Sequence, residues 1–247
     1  MQARSRGITI LPLHINESDA EFTPGDRSIR IGLKQVKGME TAFLDSIAEA
    51  KKAGGFHSIQ DFVYRTNVNK DVTGNLILGG AFDSLSTNRR ALLWDLPKYY
   101  QTKQGSLFLE TPTRSAIADF NPFDRWLREY SVLSLSAQGH IMDFFRPRLP
   151  REVLTSQEAA LCTKGVVHIA GLVIRPHRPP TRSGKTVVFL TLEDEHGLMD
   201  VTIFEDIYRK FAKVIFNQPL LLVTGEISRR DPKERASIIA NRIQALN

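Results

Sequence analysis

One cysteine, Cys162, is all that this 247-residue chain holds. An internal disulfide framework and a multi-cysteine zinc site are excluded with it, and a reducing cytoplasm fits such a chain. No apolar run nears the ~20 residues of a membrane span, so no membrane partner is expected. The start, Met1 to Gly7, is basic, but Pro12 and His14 break the apolar segment after it, unlike a signal peptide. The six histidines, His14, His57, His140, His168, His177 and His196, are scattered without metal-ligand spacing. Ser183-Gly184-Lys185-Thr186 has the Gly-Lys-Thr of a phosphate loop but lacks its earlier glycine and follows Pro179-Pro180. Glu193, Asp194 and Glu195 form the one tight acidic cluster, which reads as a solvated hairpin. These residues offer no catalytic constellation, no bound metal and no cofactor.

What is present is positive charge in two blocks. The net charge is +6, and residues 27–104 carry +5 and residues 162–247 carry +4, while 1–26 and 105–161 are slightly acidic. Two separate basic blocks joined by a neutral stretch suggest two polyanion-binding surfaces.

The first block is expected to be helical. Helical spacing over Thr41–Ala53 ends at Gly54-Gly55. Ser58 and Asp61 predict an N-cap, and a short helix over Val72–Leu78 is stopped by Gly79-Gly80. Ser86-Thr87-Asn88 caps a helix from Arg89 to about Leu96, which Pro97 is expected to end. Before this block, Gly7–Pro12 reads as a strand with no neighbour in sequence to pair with, as in the tail of something larger. Residues 105–161 read as a connector in which Asn121-Pro122 opens a helix.

The second block reads as strands. Val166–Ile174, Thr186–Leu192, Gly197–Phe204, Leu220–Ile227 and Ala236–Ala240 alternate or run apolar. A helix falls between the third and fourth, at Ile207–Phe216. Five short strands in this order are the plan of an OB-fold barrel. The fold class is therefore α+β and multidomain, a helical region followed by a five-stranded OB-fold barrel.

Three sets of residues carry the functional expectation. Two glycine-centred bends, at 31–40 and 78–83, would let backbone amides approach a phosphate. Lys34, Lys37, Gly38, Gly80, Arg89 and Arg90 there are expected to contact a duplex backbone without reading sequence. In the barrel, OB-folds bind single strands across the second and third strands, between two loops. Both loops are basic: Arg175, His177, Arg178, Arg182 and Lys185 in the first, Arg229 and Arg230 in the second. Phe189 and Phe204 are candidates to stack on bases, although each also reads as a core residue. Between the blocks, Gln104, Leu107 and Phe108 form a peptide able to dock in extended form, with Gln104 hydrogen-bonding and the other two filling an apolar pocket.

Together these segments resemble the C-terminal part of the bacterial DNA polymerase III α subunit, the DnaE or C-family polymerases. Ile31–Gly38 is similar to the family's first helix-hairpin-helix. Gly80–Leu85 with Asn88–Trp94 is similar to its second. Ile10–Ser18 resembles the end of the fingers region, which here would occupy 1–26, and Leu135–Met142 resembles the segment before the OB domain. Replicative members continue with a clamp-loader-binding domain. The stop after the OB-like segment and the Asn88–Trp94 run therefore resemble the error-prone, ImuC-type branch, which implies translesion synthesis after DNA damage for the full protein. Glu40 departs from the family pattern, in which many members carry a second glycine.

The resemblance implies that 27–104 binds duplex DNA, 162–247 binds single-stranded template, and Gln104–Phe108 in 105–161 meets a sliding clamp. It also implies further polymerase or mutasome subunits as partners. Magnesium is expected only for the polymerase domain, whose palm aspartates are absent from 1–247, so this chain alone is not expected to polymerise. The alternative is a stand-alone single-strand-binding module acting on a polymerase in trans.

Overall fold

The computed structural model describes residues 7–103, 117–180, 185–229 and 235–246. They fall into two compact units that divide between Gln138 and Gly139.

The first unit begins with three short strands, β1 (Thr9–Leu11), β2 (Thr23–Gly25) and β3 (Ser28–Arg30). The strand expected to lack a neighbour has one: β1 pairs in parallel with β3, and β2 pairs antiparallel with the other edge of β3. That partner lies beyond a long connection, so sequence adjacency gave no sign of it. Five helices follow: α1 (Thr41–Lys52), α2 (Ile59–Arg65), α3 (Lys70–Leu78), α4 (Arg89–Lys103) and α5 (Pro122–Leu133). The side chains of Ser58, Asn69, Asn88 and Asn121 each accept the backbone N–H three residues on, closing the first turns of α2 to α5. Each such cap contributes about 1 kcal/mol. The buried rings of Phe56, Phe62 and Phe82 meet edge to face, with centroids 5.1 Å apart in both pairs. Ile47, Val63, Leu76, Ile77 and Leu133 fill in around them.

Pro97 does not end α4, which runs on to Lys103. Tertiary contacts hold the extra turns. The Tyr100 hydroxyl donates to the Val68 carbonyl at 2.7 Å, and Lys103 Nζ donates to the carbonyls of Val63 and Thr66 at the C-terminal end of α2. Those bonds place a cation at a helix C-terminus, where the dipole favours it.

The second unit contains α6 (Met142–Phe145), β4 (Val153–Leu154), α7 (Ser156–Leu161), β5 (Val166–His177), β6 (Val187–Glu193), β7 (Leu198–Phe204), α8 (Glu205–Asn217), β8 (Leu220–Ser228) and β9 (Ser237–Ala245). Hydrogen-bonded neighbours run β5-β6-β7-β9-β8, and β8 returns to β5, closing a five-stranded barrel. β4 adds in parallel to β5 outside it. The stretch expected as a connector thus divides: α5 belongs to the first unit, whereas β4 and α7 pack on the barrel. Alternation decides what faces in. Val188, Leu190 and Leu192 of β6 and Met199, Val201 and Ile203 of β7 are buried, with their neighbours on the other face.

The acidic cluster is not a solvated hairpin. Asp194 is 3% exposed and accepts from Ser156 N at 2.5 Å, Ser156 Oγ at 2.6 Å, and the amides of His196 and Gly197 at 2.9 Å. Arg146 donates to Glu195 at 2.5 Å. Four donors on one carboxylate explain how a charge stays buried here.

Candidate nucleic-acid interface

The outer face of β5, β6 and β7 is where the barrel offers rings. Phe189 is opposite His177 in the β5–β6 register and opposite Thr202 in the β6–β7 register. Because Val188 and Leu190 point into the core, Phe189 points out. Its ring stacks on that of His177, with centroids 5.5 Å apart and an interplanar angle of 26°. A register shift in β5 between Ile174 and His177 brings the imidazole over the ring. Phe204, at the end of β7, is 48% exposed. Both phenylalanines that also read as core residues therefore face away from it. Thr191 donates to Asp200 at 2.7 Å and marks the polar end of the same face.

The described cations of the two basic loops differ in placement. Arg178 is exposed and lies over the Tyr208 ring of α8, with Cζ 5.4 Å from the ring centroid. Lys185, at the start of the β6 side, is exposed. Arg229 turns away from the expected role: it is half-buried, and its guanidinium donates to the Ala160 carbonyl at the end of α7. Arg182, Arg230 and the side chain of Arg175 lie outside the described residues, as do Gln104, Leu107 and Phe108.

In the helical unit the two bends differ. At the first, Gly38 has φ +80° and would meet Val72 Cγ2 at 3.4 Å with a Cβ in place. The amides of Lys37 and Met39 are used by the carbonyls of Val132 and Val36. Helix α1 follows at once, and its cap residue Glu40 provides no side-chain cap. Lys34 and Lys37 are exposed, Lys34 being paired with Glu21 at 2.7 Å.

At the second bend the amides are spent. Gly79, Gly80, Ala81 and Asp83 donate to the carbonyls of Asn75, Ile77, Leu76 and Gly80, and the next helix starts only at Arg89 behind its Asn88 cap. Gly80 has φ +85°, and a Cβ there would strike the Arg89 guanidinium. Arg89 itself is 2% exposed. It donates to both oxygens of Asp83, to the Leu78 carbonyl at 2.7 Å, and faces Glu129 at 3.4 Å. Gly80 and Arg89 are thus parts of a buried ion-pair seat and not a phosphate contact, because a guanidinium so enclosed has no free donor edge for a ligand. Arg90, next in sequence, is exposed.

Sequence reasoning missed Glu129, which anchors this seat with Ser136 Oγ and the Ala137 amide on its other oxygen at 3.0 Å each. It also missed Tyr208 beneath Arg178. The four-residue step from Phe204 to Tyr208 was the available signal for the second. No helix among the described residues is long and apolar enough to cross a membrane.

Comparison with known proteins gives two family matches. A helix-hairpin-helix motif matches residues 7–92, and an OB-fold nucleic acid binding domain matches residues 167–246. An error-prone DNA polymerase of Symbiobacterium thermophilum is 37% identical, covering all of this chain and 28% of the relative. Another, of Bdellovibrio bacteriovorus, is 28% identical, covering 92% of this chain and 24% of the relative. The chain thus spans about a quarter of the length of these curated relatives. Among solved structures, asparaginyl-tRNA synthetase from Pyrococcus horikoshii aligns with 38% of this chain and 22% of its own at 20% identity and a TM-score of 0.31.

Proposed function

We propose that this chain, which resembles the C-terminal part of the error-prone branch of the bacterial DNA polymerase III α subunits, holds DNA. The barrel unit takes the single-stranded template and the helical unit takes duplex. The observation that carries the proposal is the outward stack of His177 on Phe189, with Phe204 exposed at the end of the adjacent strand. This cross-strand pair stabilises the sheet and also leaves ring surface on the outer face, on which any nucleobase can stack. Arg178 and Lys185 beside it supply charge for the backbone.

Duplex binding rests on the first bend, where Lys34, Lys37 and Gly38 precede the uncapped start of α1, together with the exposed Arg90. Positive charge without base-edge readers suits positioning on any sequence. In a longer protein with a polymerase domain, these surfaces would hold the primer–template during synthesis past damage. Nucleotidyl transfer and its magnesium would belong to that domain. Gln104, Leu107 and Phe108 would tether the assembly to a sliding clamp in the cytoplasm, a reading supported by their position in the family order.

The test is single-strand binding by fluorescence anisotropy. Phe189→Ala is expected to weaken binding about tenfold, the scale of one lost base stack, with a stability loss of no more than about 1 kcal/mol, that of one cross-strand pair, because the ring lies outside the core. Wild-type affinity in Phe189→Ala would overturn the assignment of this face.

A further inference from the structure

Helix α8 has a side that closing the barrel does not explain. Ile207, Phe211, Val214 and Ile215 pack against the barrel core. Tyr208 packs there too, one turn after Phe204, the extended residue that caps the helix. Phe204 and Phe216 are 48% and 49% exposed. Tyr208 is half-buried, and the Phe216 ring stands edge-on to it with centroids 6.4 Å apart. From the β5–β6 connection, Arg178 covers the Tyr208 ring and brings Nη1 to 3.4 Å from its hydroxyl. The neighbouring stripe carries Arg209, Lys210 and Lys213, all exposed.

Two acids share the first turn, Glu205 and the exposed Asp206. Arg209 neutralises Glu205 at 2.7 Å. That hydrogen bond, with the Thr186 amide and the Lys185 charge, holds the Glu205 carboxyl below its ordinary range. Lys213, farther along, has no acidic residue three or four places away on the helix.

We infer that single-stranded nucleic acid continues from the barrel face past Phe204 and along α8, with phosphates on Arg178 and Lys213 and a base against Phe216. This rests on the single-strand reading of the barrel face. Thirteen residues of helix extend the track by about 20 Å. An acidic polypeptide would satisfy the cations but leave Phe216 without a flat partner. A duplex keeps its base faces stacked and offers none. Cations interleaved with exposed rings match an unpaired strand.

The test uses the whole chain and labelled oligothymidylates from about four to about sixteen nucleotides, the range of sites on such barrels. Affinity is expected to rise with length. Phe216→Ala is expected to lower affinity for the longest strand about five- to tenfold and to leave the shortest unaffected. Lys213→Glu, a change of surface charge alone, is expected to act in the same direction. A long strand bound no tighter than a short one would overturn the inference while leaving the barrel-face reading intact, as would variants equal to wild type at every length. Polyglutamate competing as well as the long strand would overturn it in favour of an acidic polypeptide. Wild type that ignores every single strand would overturn both readings.

Discussion

The Arg89 guanidinium grips the Asp83 carboxylate with two hydrogen bonds, Nε to Oδ1 at 2.8 Å and Nη2 to Oδ2 at 2.6 Å. Glu129 stands on its other side at 3.4 Å, with both side chains only 3% exposed, and Arg125 adds a second cation to Asp83 at 2.7 Å. Burial alone works against the charge on Arg89. The hydrogen bonds and charges of Asp83 and Glu129 outweigh it and hold the pKa above its ordinary value. Removing the guanidinium leaves two acids without their shared partner. Arg89→Ala is therefore expected to cost about 3–5 kcal/mol in urea unfolding, whereas Arg90→Ala costs less than about 0.5 kcal/mol. Full stability of Arg89→Ala would show that the seat is not what holds this region.

Much of the fold was legible in the sequence, for local reasons. Asn88, Asn121 and Ser58 announce helix starts because a cap is a contact over three residues. The five barrel strands were legible because Val188, Leu190 and Leu192 alternate with Phe189 and Thr191. What was not legible depends on distant groups. The partner of β1 lies in β3, and the extension of α4 past Pro97 depends on Val68 and on the end of α2. Arg89 looked like a surface cation because Glu129, forty residues on, is invisible to a local reading. At the interface, the residue types at His177, Phe189 and Phe204 were legible. Their outward direction followed only from the register, and the turn of Arg229 toward Ala160 had no sequence sign.

Pro97 lies inside α4, where its ring removes one backbone hydrogen bond and crowds the preceding turn. Pro97→Ala is expected to stabilise the chain by about 1–3 kcal/mol, with little change in helical circular dichroism because the residues beyond it are already helical. A large gain in helicity would contradict a continuous Arg89–Lys103 helix.

Helix α7 opens with a reciprocal cap: Glu158 N donates to Thr155 Oγ1 at 3.2 Å, and Thr155 N donates to the Glu158 carboxylate at 2.8 Å. The Thr155 backbone N–H, then its hydroxyl, hold the Glu158 carboxyl below its ordinary value. A lowered carboxyl pKa stabilises the fold above the ordinary glutamate value, and the contribution fades as pH falls through the native one. Glu158→Gln keeps the cap geometry without the charge. Wild type is expected to be slightly the more stable at neutral pH, and the gap should close in acid. A gap that widens on acidification would reverse the sign.

Lys37 and Arg90 are exposed cations of the helical unit without a salt bridge among the described residues. Each phosphate contact contributes to the dependence of affinity on salt. Lys37→Glu and Arg90→Glu are each expected to weaken duplex binding and to reduce the slope of log affinity against log salt by about one. An unchanged slope in both would remove the helical unit from the interface.

The most direct measurement is anisotropy of the purified chain with single-stranded, blunt duplex and primer–template junction DNA across a salt series. The junction is expected to bind tightest, the single strand next and the blunt duplex least, with every affinity falling as salt rises. A folded chain that binds none of the three at low ionic strength, or binds blunt duplex as tightly as the junction, would contradict a barrel that cradles the unpaired strand.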